Sequence, residues 1–210
     1  MPILAIFLLL FAAAARANSF AAQQDDYGDD FKISRQFFPE EAKCRGLIRS
    51  EKWAEAETVC KGVVRLAEKF KGGRELEKMG AYELFGRVML GQKRYREALD
   101  SYALALNAVK TRLTERNAEL GCLYGEMAVA WHLLGDLDKA LELYRKAEKI
   151  YQTAYAFMGN DEDVDAEVVK MKQGYLRALK NLLELHLMAA EKAGATSDAE
   201  EAKRLMKSLP

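Results

Sequence analysis

The phrase RYREALDSYALAL, at residues 94–106, returns further along the chain as DLDKALELYRKAE, at residues 136–148. A related phrase, KWAEAETVCKGVV, stands at the same distance before it, at residues 52–64. All three copies carry a small residue at one shared position: Ala56, Ala98 and Ala140. A fixed step of this kind indicates a protein built from stacked repeats of one structural unit.

Other positions keep their chemical character at the same step. Large residues share one position, Trp53, Tyr95 and Leu137, and large apolar residues share another, Leu47, Met89 and Trp131. A third position is small in every copy: Cys44, Gly86 and Ala128. A fourth is mostly aromatic: Cys60, Tyr102 and Tyr144. Two antiparallel helices need small residues where they cross, so we predict that Gly86 meets Ala98 and that Ala128 meets Ala140. A single hairpin of this kind cannot bury its apolar face, and neighbouring hairpins therefore stack.

Composition supports a folded, all-α chain. Half of the 210 residues are hydrophobic and 30% are charged. The prolines, which are the strongest helix breakers, lie only near the edges, at Pro2, Pro39 and Pro210. Lys+Arg and Asp+Glu are balanced at 32 each, and this argues against nucleic acid as a partner, because binding to phosphates favours a basic excess.

Two copies of the unit resemble the tetratricopeptide repeat (TPR), with its order large, large-small, large, turn, small, aromatic, small. The matching residues are Tyr82, Phe85, Gly86, Met89, Tyr95, Ala98, Tyr102 and Ala105, and then Tyr124, Met127, Ala128, Trp131, Gly135, Leu137, Ala140, Tyr144 and Ala147. The usual TPR period is about 34 residues, and the step in this chain is longer, about 42 residues. The longer step and the phrase ALELYRKAEKIYQTAY, at residues 140–155, resemble the kinesin light chain subclass.

The resemblance implies an α-solenoid of antiparallel helix hairpins over residues 37–210, with about three TPR units and an irregular C-terminal pair of capping helices. It also implies a concave groove, lined by the first helix of each hairpin, that binds a protein or peptide. The groove positions are Glu41, Arg45, Ile48, Glu83, Arg87, Leu90, Val129 and His132. The structural positions are Gly86, Ala98, Ala128, Ala140, Tyr95, Tyr102, Trp131 and Tyr144.

Residues 1–17 have the pattern of a signal peptide, with an apolar run at 3–15 and an A-x-A-like site that predicts cleavage after Ala17. No Lys or Arg precedes the run, so an uncleaved anchor or a buried N-terminal helix remains an alternative. Residues 18–36 are polar and predict a flexible linker. These segments predict a secreted or periplasmic protein without a membrane span after cleavage.

Motifs for catalysis or cofactor binding do not stand out. The sequence has no phosphate-binding glycine loop, no G-x-S-x-G elbow and no H-E-x-x-H. His132 and His186 are the only histidines, which excludes a multi-histidine metal site within one chain. The alternating Asp161, Asp163 and Asp165 lack the glycine and glutamate of a calcium loop. We therefore predict no enzymatic activity, no cofactor and no metal.

The three cysteines are Cys44, Cys60 and Cys122. Cys44 and Cys60 belong to the two helices of the first hairpin, and in an oxidising compartment a disulfide between them is one hypothesis. The alternative is that both are small buried apolar residues, and Cys122 has no evident partner.

Helix boundaries follow from proline, glycine and capping residues. We predict that Pro39 lies in the first turn of the first helix and that the second helix continues to Lys71. Gly91 is predicted to cap the third helix, and Thr196 or Ser197 to be the N-cap of the last.

The leading functional hypothesis is a non-catalytic adaptor that holds a protein or peptide in an extracytoplasmic compartment. The alternative is a structural role, in which the solenoid self-associates in an envelope or secreted assembly. Homo-oligomerisation is left open by both.

Overall fold

The computed structural model describes residues 29–110, 118–157 and 166–209, and every regular element in these ranges is an α-helix. In chain order they are α1 (29–49), α2 (Trp53–Ala67), α3 (Glu75–Gly91), α4 (Tyr95–Val109), α5 (Ala118–Leu134), α6 (Leu137–Phe157), α7 (Ala166–Ala193) and α8 (Thr196–Ser208). The predicted signal peptide, linker residues 18–28 and the aspartate run at 161–165 lie outside the described residues.

Consecutive helices pair as antiparallel hairpins that stack in chain order. The closest packing joins α3 to α4 and α5 to α6, and α2–α3, α4–α5 and α6–α7 contacts connect one hairpin to the next. The first helices also contact one another, α3 with α5 and α5 with α7. The second helices, α2, α4 and α6, are farther from one another. The first helices of the hairpins therefore form the inner layer, and the predicted all-α solenoid is confirmed.

Each of the first three hairpins closes with the same backbone motif. The residues in the left-handed region are Glu51, Lys93 and Gly135, with φ of 55°, 62° and 87°, and they occupy the same position in successive repeats. The amide of the next residue in each turn donates to the carbonyl five residues back, over 2.8–3.1 Å: Lys52 to Leu47, Arg94 to Met89 and Asp136 to Trp131. This is a Schellman closure, so the sequence repeat is also a repeat of backbone geometry.

The small column and the aromatic column meet inside the hairpins. A Cβ placed on Gly86 would come within 2.4 Å of the ring of Tyr102. The residues at the equivalent positions of the first hairpin, Cys44 and Cys60, are joined by a disulfide with a Cα–Cα distance of 5.2 Å. The three atoms nearest to a Cβ at Gly86 thus belong to Tyr102 in place of Ala98, which the sequence paired with Gly86 and which is buried on the same helix as Tyr102.

The N-terminal boundary predicted for the first helix is wrong. Helix α1 already includes residues 29–36, which the sequence placed in a flexible linker, and Pro39 lies in its interior. Phe37 explains the extension, because it is buried in the core with its ring centroid 5.5 Å from that of Phe70.

Three other boundary predictions also need correction. Helix α2 ends at Ala67, before Lys71. Gly91 lies within α3 rather than capping it, and a side chain there would meet the ring of Trp53 at 2.6 Å. The N-cap of α8 is Ala195, without a side-chain hydrogen bond, in place of Thr196 or Ser197. No helix in the described part of the chain is long and apolar enough to cross a membrane.

Candidate functional site

The inner layer carries two Glu–Arg pairs at equivalent repeat positions. On α1, Arg45 donates to Glu41 over 2.7 Å, and on α3, Arg87 donates to Glu83 over 2.7 Å. Both arginines reach solvent, with 47% of the Arg45 side chain and 32% of the Arg87 side chain exposed. Four of the predicted groove residues therefore form a repeated charged pattern on adjacent inner helices.

The two pairs face different neighbours on the next inner helix. A Cβ on Gly80 would lie 3.7 Å from Glu41 and 3.9 Å from Arg45, so the first pair faces glycine. The second pair faces Cys122 and Glu126 of α5, which stand one repeat step after Gly80 and Leu84.

Arg87 connects the groups of the second pair. Its Nε donates to Glu126 Oε1, and its Nη2 lies 3.4 Å from Cys122 Sγ as well as bonding Glu83. The Cys122 sulfur is 3.8 Å from Glu83 Oε1 and 3.8 Å from Glu126 Oε1. Below this set, the fully buried side chain of Tyr102 places its hydroxyl beside the Glu126 carboxylate. We call Glu83, Arg87, Cys122 and Glu126 the acid–thiol cluster.

Burial controls the protonation of the acid–thiol cluster. It raises the pKa of the Glu126 carboxyl to about 7, against the opposing charge of Arg87. Burial also raises the pKa of the Cys122 thiol to about 12, with the charges of Glu126 and Glu83 acting in the same direction. The thiol is therefore protonated at neutral pH, and Glu126 exchanges its proton close to neutrality.

The remaining predicted groove residues are half-buried. Ile48 and Leu90 are partly buried against the N-terminal apolar core, and Val129 is partly buried against the C-terminal one. His132 is half-buried on α5, and burial together with the charge of Lys192 on α7 lowers the pKa of its imidazole. Lys192 is therefore close enough to act on His132 through its charge, although the sequence did not select it.

A second polar cluster joins α6, α7 and α8. His186 Nδ1 lies 2.6 Å from Glu148 Oε1, and its Nε2 lies 3.4 Å from Asp198 Oδ1, which also accepts from Arg145 over 2.8 Å. The imidazole is 0% exposed and stacks on the ring of Tyr144 at 5.9 Å. A histidine without solvent access cannot reach a dissolved substrate, so this cluster connects helices.

The protonation of His186 follows from its acidic neighbours. Burial disfavours the imidazolium, but the hydrogen bond with Glu148 and the charge of Asp198 outweigh it and raise the pKa of His186 above its ordinary value. Burial also raises the pKa of Glu148, against the effect of His186. The folded protein therefore holds a proton on this pair more tightly than the unfolded chain does.

Comparison with solved structures decides the fold family. The crystal structure of BtubC (BKLC) from P. vanneervenii matches 94% of this chain and 88% of its own, with 14% identity and a TM-score of 0.53. The putative kinesin light chain from Podosopora anserina, with nearly identical TPR-like repeats, matches over 83% of this chain and 94% of its own, with 14% identity and a TM-score of 0.51. The chain has the TPR fold, of the kinesin light chain type.

The TPR domain of Arabidopsis FLU is also similar, with 24% identity over 55% of this chain and 93% of that chain. Its TM-score is 0.48. No protein-family model matches the sequence, and no significant match is found among curated proteins. The predicted resemblance to TPR proteins is thus confirmed at the level of the fold.

Within the TPR fold, both polar clusters contain residues that sequence reasoning missed. Glu126 stands one repeat step after Leu84, and Glu148 stands one repeat step after Leu106. The sequence does indicate these clusters, because each glutamate replaces a leucine of the preceding repeat. A charge at such a buried position requires a partner. The partners themselves, Arg87 and His186, come from other helices and are placed there by the tertiary fold.

Proposed function

We propose that this TPR-fold chain is a non-catalytic scaffold that binds a protein or peptide segment along the inner surface of α1, α3 and α5. The observation that carries the proposal is the repetition of a Glu–Arg pair, Glu41–Arg45 and Glu83–Arg87, at one repeat step on neighbouring inner helices. An extended peptide presents side chains at regular intervals, so regularly spaced charged groups on a rigid layer suit it.

The partner segment we propose is of mixed polar and apolar character. The two arginines provide donors, their glutamates provide acceptors, and the partly buried Leu90 and Val129 provide apolar contact beside them. The non-catalytic part of the proposal is supported by the full burial of His186, whose pairing with Glu148 otherwise resembles a catalytic acid–base arrangement.

We further propose that the chain acts in an extracytoplasmic compartment. The signal-peptide pattern at residues 1–17 supports export. The disulfide between Cys44 and Cys60 is consistent with it, because such bonds persist in oxidising compartments.

Peptide display on the purified chain tests the binding proposal. Peptides selected by the wild type should lose about tenfold or more in affinity, about 1.4 kcal/mol, for Arg45→Glu, which reverses the charge at this part of the inner surface. Lys146→Glu is the matched control, since Lys146 is an exposed cation on the outer helix α6 paired with Glu142 at 2.5 Å. Equal effects of the two variants, or no selected peptides, would contradict binding at the inner surface.

Expression of the full chain with fractionation tests the compartment. We expect the exported fraction to contain a chain that begins at Asn18 by mass spectrometry. A chain that keeps Met1 and remains with the cytoplasmic marker would overturn the proposal.

Self-association is a second candidate function, favoured by one observation. Two aromatic side chains on α1, Phe31 and Phe38, are 64% and 49% exposed beside a cavity of about 690 Å³ that Gly72 and Gly73 also line. Apolar surface of this kind marks contact sites. Light scattering over a range of concentrations should show a dimer for the wild type and a monomer for Phe31→Ser/Phe38→Ser, and a concentration-independent wild-type monomer would exclude the idea.

A further inference from the structure

We propose that the last helix, α8, is held on the solenoid by a pH-sensitive latch, and that loss of one proton from the buried pair His186–Glu148 releases it. The three groups of the latch come from three helices: Glu148 from α6, His186 from α7 and Asp198 from α8. The imidazole therefore lies between a carboxylate of the preceding hairpin and a carboxylate of the helix that is released. The proposal does not rest on peptide binding by the inner surface.

Helix α8 has a small apolar attachment. It follows α7 through a tight turn at Gly194, with φ of 68°, and packs mainly on α7. Of its side chains, Ala199 and Ala202 are the buried ones, and Leu205 and Met206 are partly buried. Segments with few buried apolar contacts open locally at a lower free energy than the core does. Polar contacts therefore provide a large share of the attachment of α8.

Among those polar contacts, Asp198 makes the ones that are shielded from water. Lys203 and Glu191 also join α8 to α7 over 3.0 Å, but both side chains are more than half exposed, and exposed pairs contribute little. The Asp198 side chain is only 16% exposed. Its Oδ1 accepts from Arg145 over 2.8 Å and lies 3.4 Å from His186 Nε2. The protonation of the imidazole therefore affects how firmly α8 is attached.

One proton decides whether the imidazole presents a hydrogen to Asp198. The ring is 0% exposed, so its nitrogens cannot bond to bulk water in place of the carboxylates. With the extra proton on the pair, Nε2 carries a hydrogen towards Asp198, whether Nδ1–H donates to Glu148 or a protonated Glu148 donates to Nδ1. Without it, the neutral imidazole has one N–H for two carboxylates.

The unequal distances decide which contact of the neutral imidazole is lost. The contact of Nδ1 with Glu148 is 2.6 Å, and that of Nε2 with Asp198 is 3.4 Å. The single N–H therefore stays on the side of Glu148, and Nε2 presents a lone pair to the carboxylate of Asp198. Loss of the proton thus weakens the link between α7 and α8 and leaves the link between α6 and α7 in place.

The charges around the latch act in the same direction. With the proton, Arg145 and the imidazolium balance the carboxylates of Glu148 and Asp198, and without it the site has one negative charge in excess. Glu201 of α8 adds its charge to this excess. Burial disfavours the imidazolium, but the contacts with Glu148 and Asp198 outweigh it and raise the pKa of His186. The latch is therefore closed below pH 6.5 and opens as the pH rises through the folded-state pKa.

Hydrogen exchange followed by mass spectrometry tests the latch in the full chain. The protection factor, which is the intrinsic exchange rate divided by the observed rate, removes the pH dependence of the exchange chemistry. Between about pH 6 and about pH 9 we expect the protection of α8 to fall about tenfold or more, since one proton changes an equilibrium up to about tenfold per pH unit. Helix α4, in the same sample, should stay better protected than α8 at every pH. Protection of α8 that is independent of pH, or equal protection of α8 and α4, would overturn the proposal.

Two variants remove the latch in different ways. His186→Gln has no proton to lose at this site, and in Asp198→Asn the introduced amide can donate to Nε2 as well as accept from it. In both variants the protection of α8 should therefore be flat over the same pH range. Circular dichroism identifies which variants are folded, and a fall like that of the wild type in either folded variant would contradict the latch.

Two further variants are matched controls. His132 is the other histidine of the sequence and lies on α5, so His132→Gln should keep the wild-type profile. Lys203→Gln removes the exposed contact of α8 with Glu191, and it should lower the protection of α8 by the same factor at every pH. A flat profile in His132→Gln would place the titrating group on α5 and would overturn the assignment to His186.

Discussion

The ring of Tyr102 lies against the backbone of Gly86, so close that a Cβ at residue 86 would come within 2.4 Å of Cε1. The ring is itself fully buried between helices and has little freedom to move. For Gly86→Ala we expect overpacking to lower the free energy of unfolding by about 1–3 kcal/mol. The better helix propensity of alanine offsets less than about 1 kcal/mol of this change. Urea unfolding followed by circular dichroism measures the difference.

The matched control is Gly174→Ala, in helix α7. A Cβ there would meet no atom within 4 Å, so only helix propensity changes and stability should rise by up to about 1 kcal/mol. If both variants changed stability in the same direction, the close approach of Gly86 and Tyr102 would not be the cause.

Reduction of the Cys44–Cys60 disulfide should destabilise the first hairpin. The bond closes a loop between residues separated by 16 positions, for which chain entropy predicts about 3 kcal/mol. Denatured, unreduced protein should have one reactive thiol, and reduced protein three. The double variant Cys44→Ala/Cys60→Ala should unfold at the same denaturant concentration with and without reductant, and three thiols in unreduced protein would exclude the bond.

Backbone strain at the hairpin turns should respond to glycine in opposite ways. Lys93 has φ of 62° and Gly135 has φ of 87° at the equivalent turn. A residue with a side chain in this region costs roughly 1 kcal/mol, so Lys93→Gly should stabilise and Gly135→Ala should destabilise by about that amount. No atom lies within 4 Å of a Cβ at Gly135, so a large loss there would indicate a packing effect in place of strain.

Loss of the two inner-layer arginines should have unequal effects on stability. Arg87→Ala leaves Glu126, a largely buried carboxylate, without its cation. We expect the free energy of unfolding to fall by about 1–3 kcal/mol, less than for a fully buried ion pair because Arg87 is partly exposed. Arg45→Ala removes only an exposed pair with Glu41 and should cost less than about 0.5 kcal/mol. Equal losses in denaturant unfolding would show that Glu126 is satisfied without Arg87.

Stability should fall as the solution becomes alkaline, because of His186. The pKa of His186 is raised above 6.5 in the folded state. The stabilisation from the His186 proton is therefore complete below pH 6.5 and is lost as the pH rises through the folded-state pKa. The raised pKa of Glu148, from 4.5 upward, acts in the same direction. Asp198 and Arg145 also face the site, and Glu201 adds its charge.

Urea midpoints measured from pH 6.5 upward test this dependence. We expect His186→Gln to have a flatter profile than the wild type, since glutamine retains hydrogen bonding without a titratable proton. Parallel profiles for the two proteins would assign the pH dependence to other groups, such as Glu126, whose pKa is raised to about 7.

Much of the architecture follows from local pattern. The constant repeat step, the small residues Gly86 and Ala128 and the aromatic residues Tyr102 and Tyr144 predict the hairpins and their stacking, because helix pairing depends on size at fixed spacing. The groove positions Glu83 and Arg87 are implied by the resemblance to TPR proteins, and their role in binding stays a prediction. The boundary at Pro39 does not, because burial of Phe37 depends on Phe70, which is distant in sequence.

The sequence by itself determined the repeat, the helical class and the residues that each hairpin needs to close, since all of these depend on contacts between residues near one another along the chain. Only the tertiary structure decided which polar groups meet. Arg87 with Cys122 and Glu126, and His186 with Glu148 and Asp198, are brought together from different helices. Their protonation and binding chemistry depend on burial and on distances of a few ångströms, which arise when separate hairpins stack.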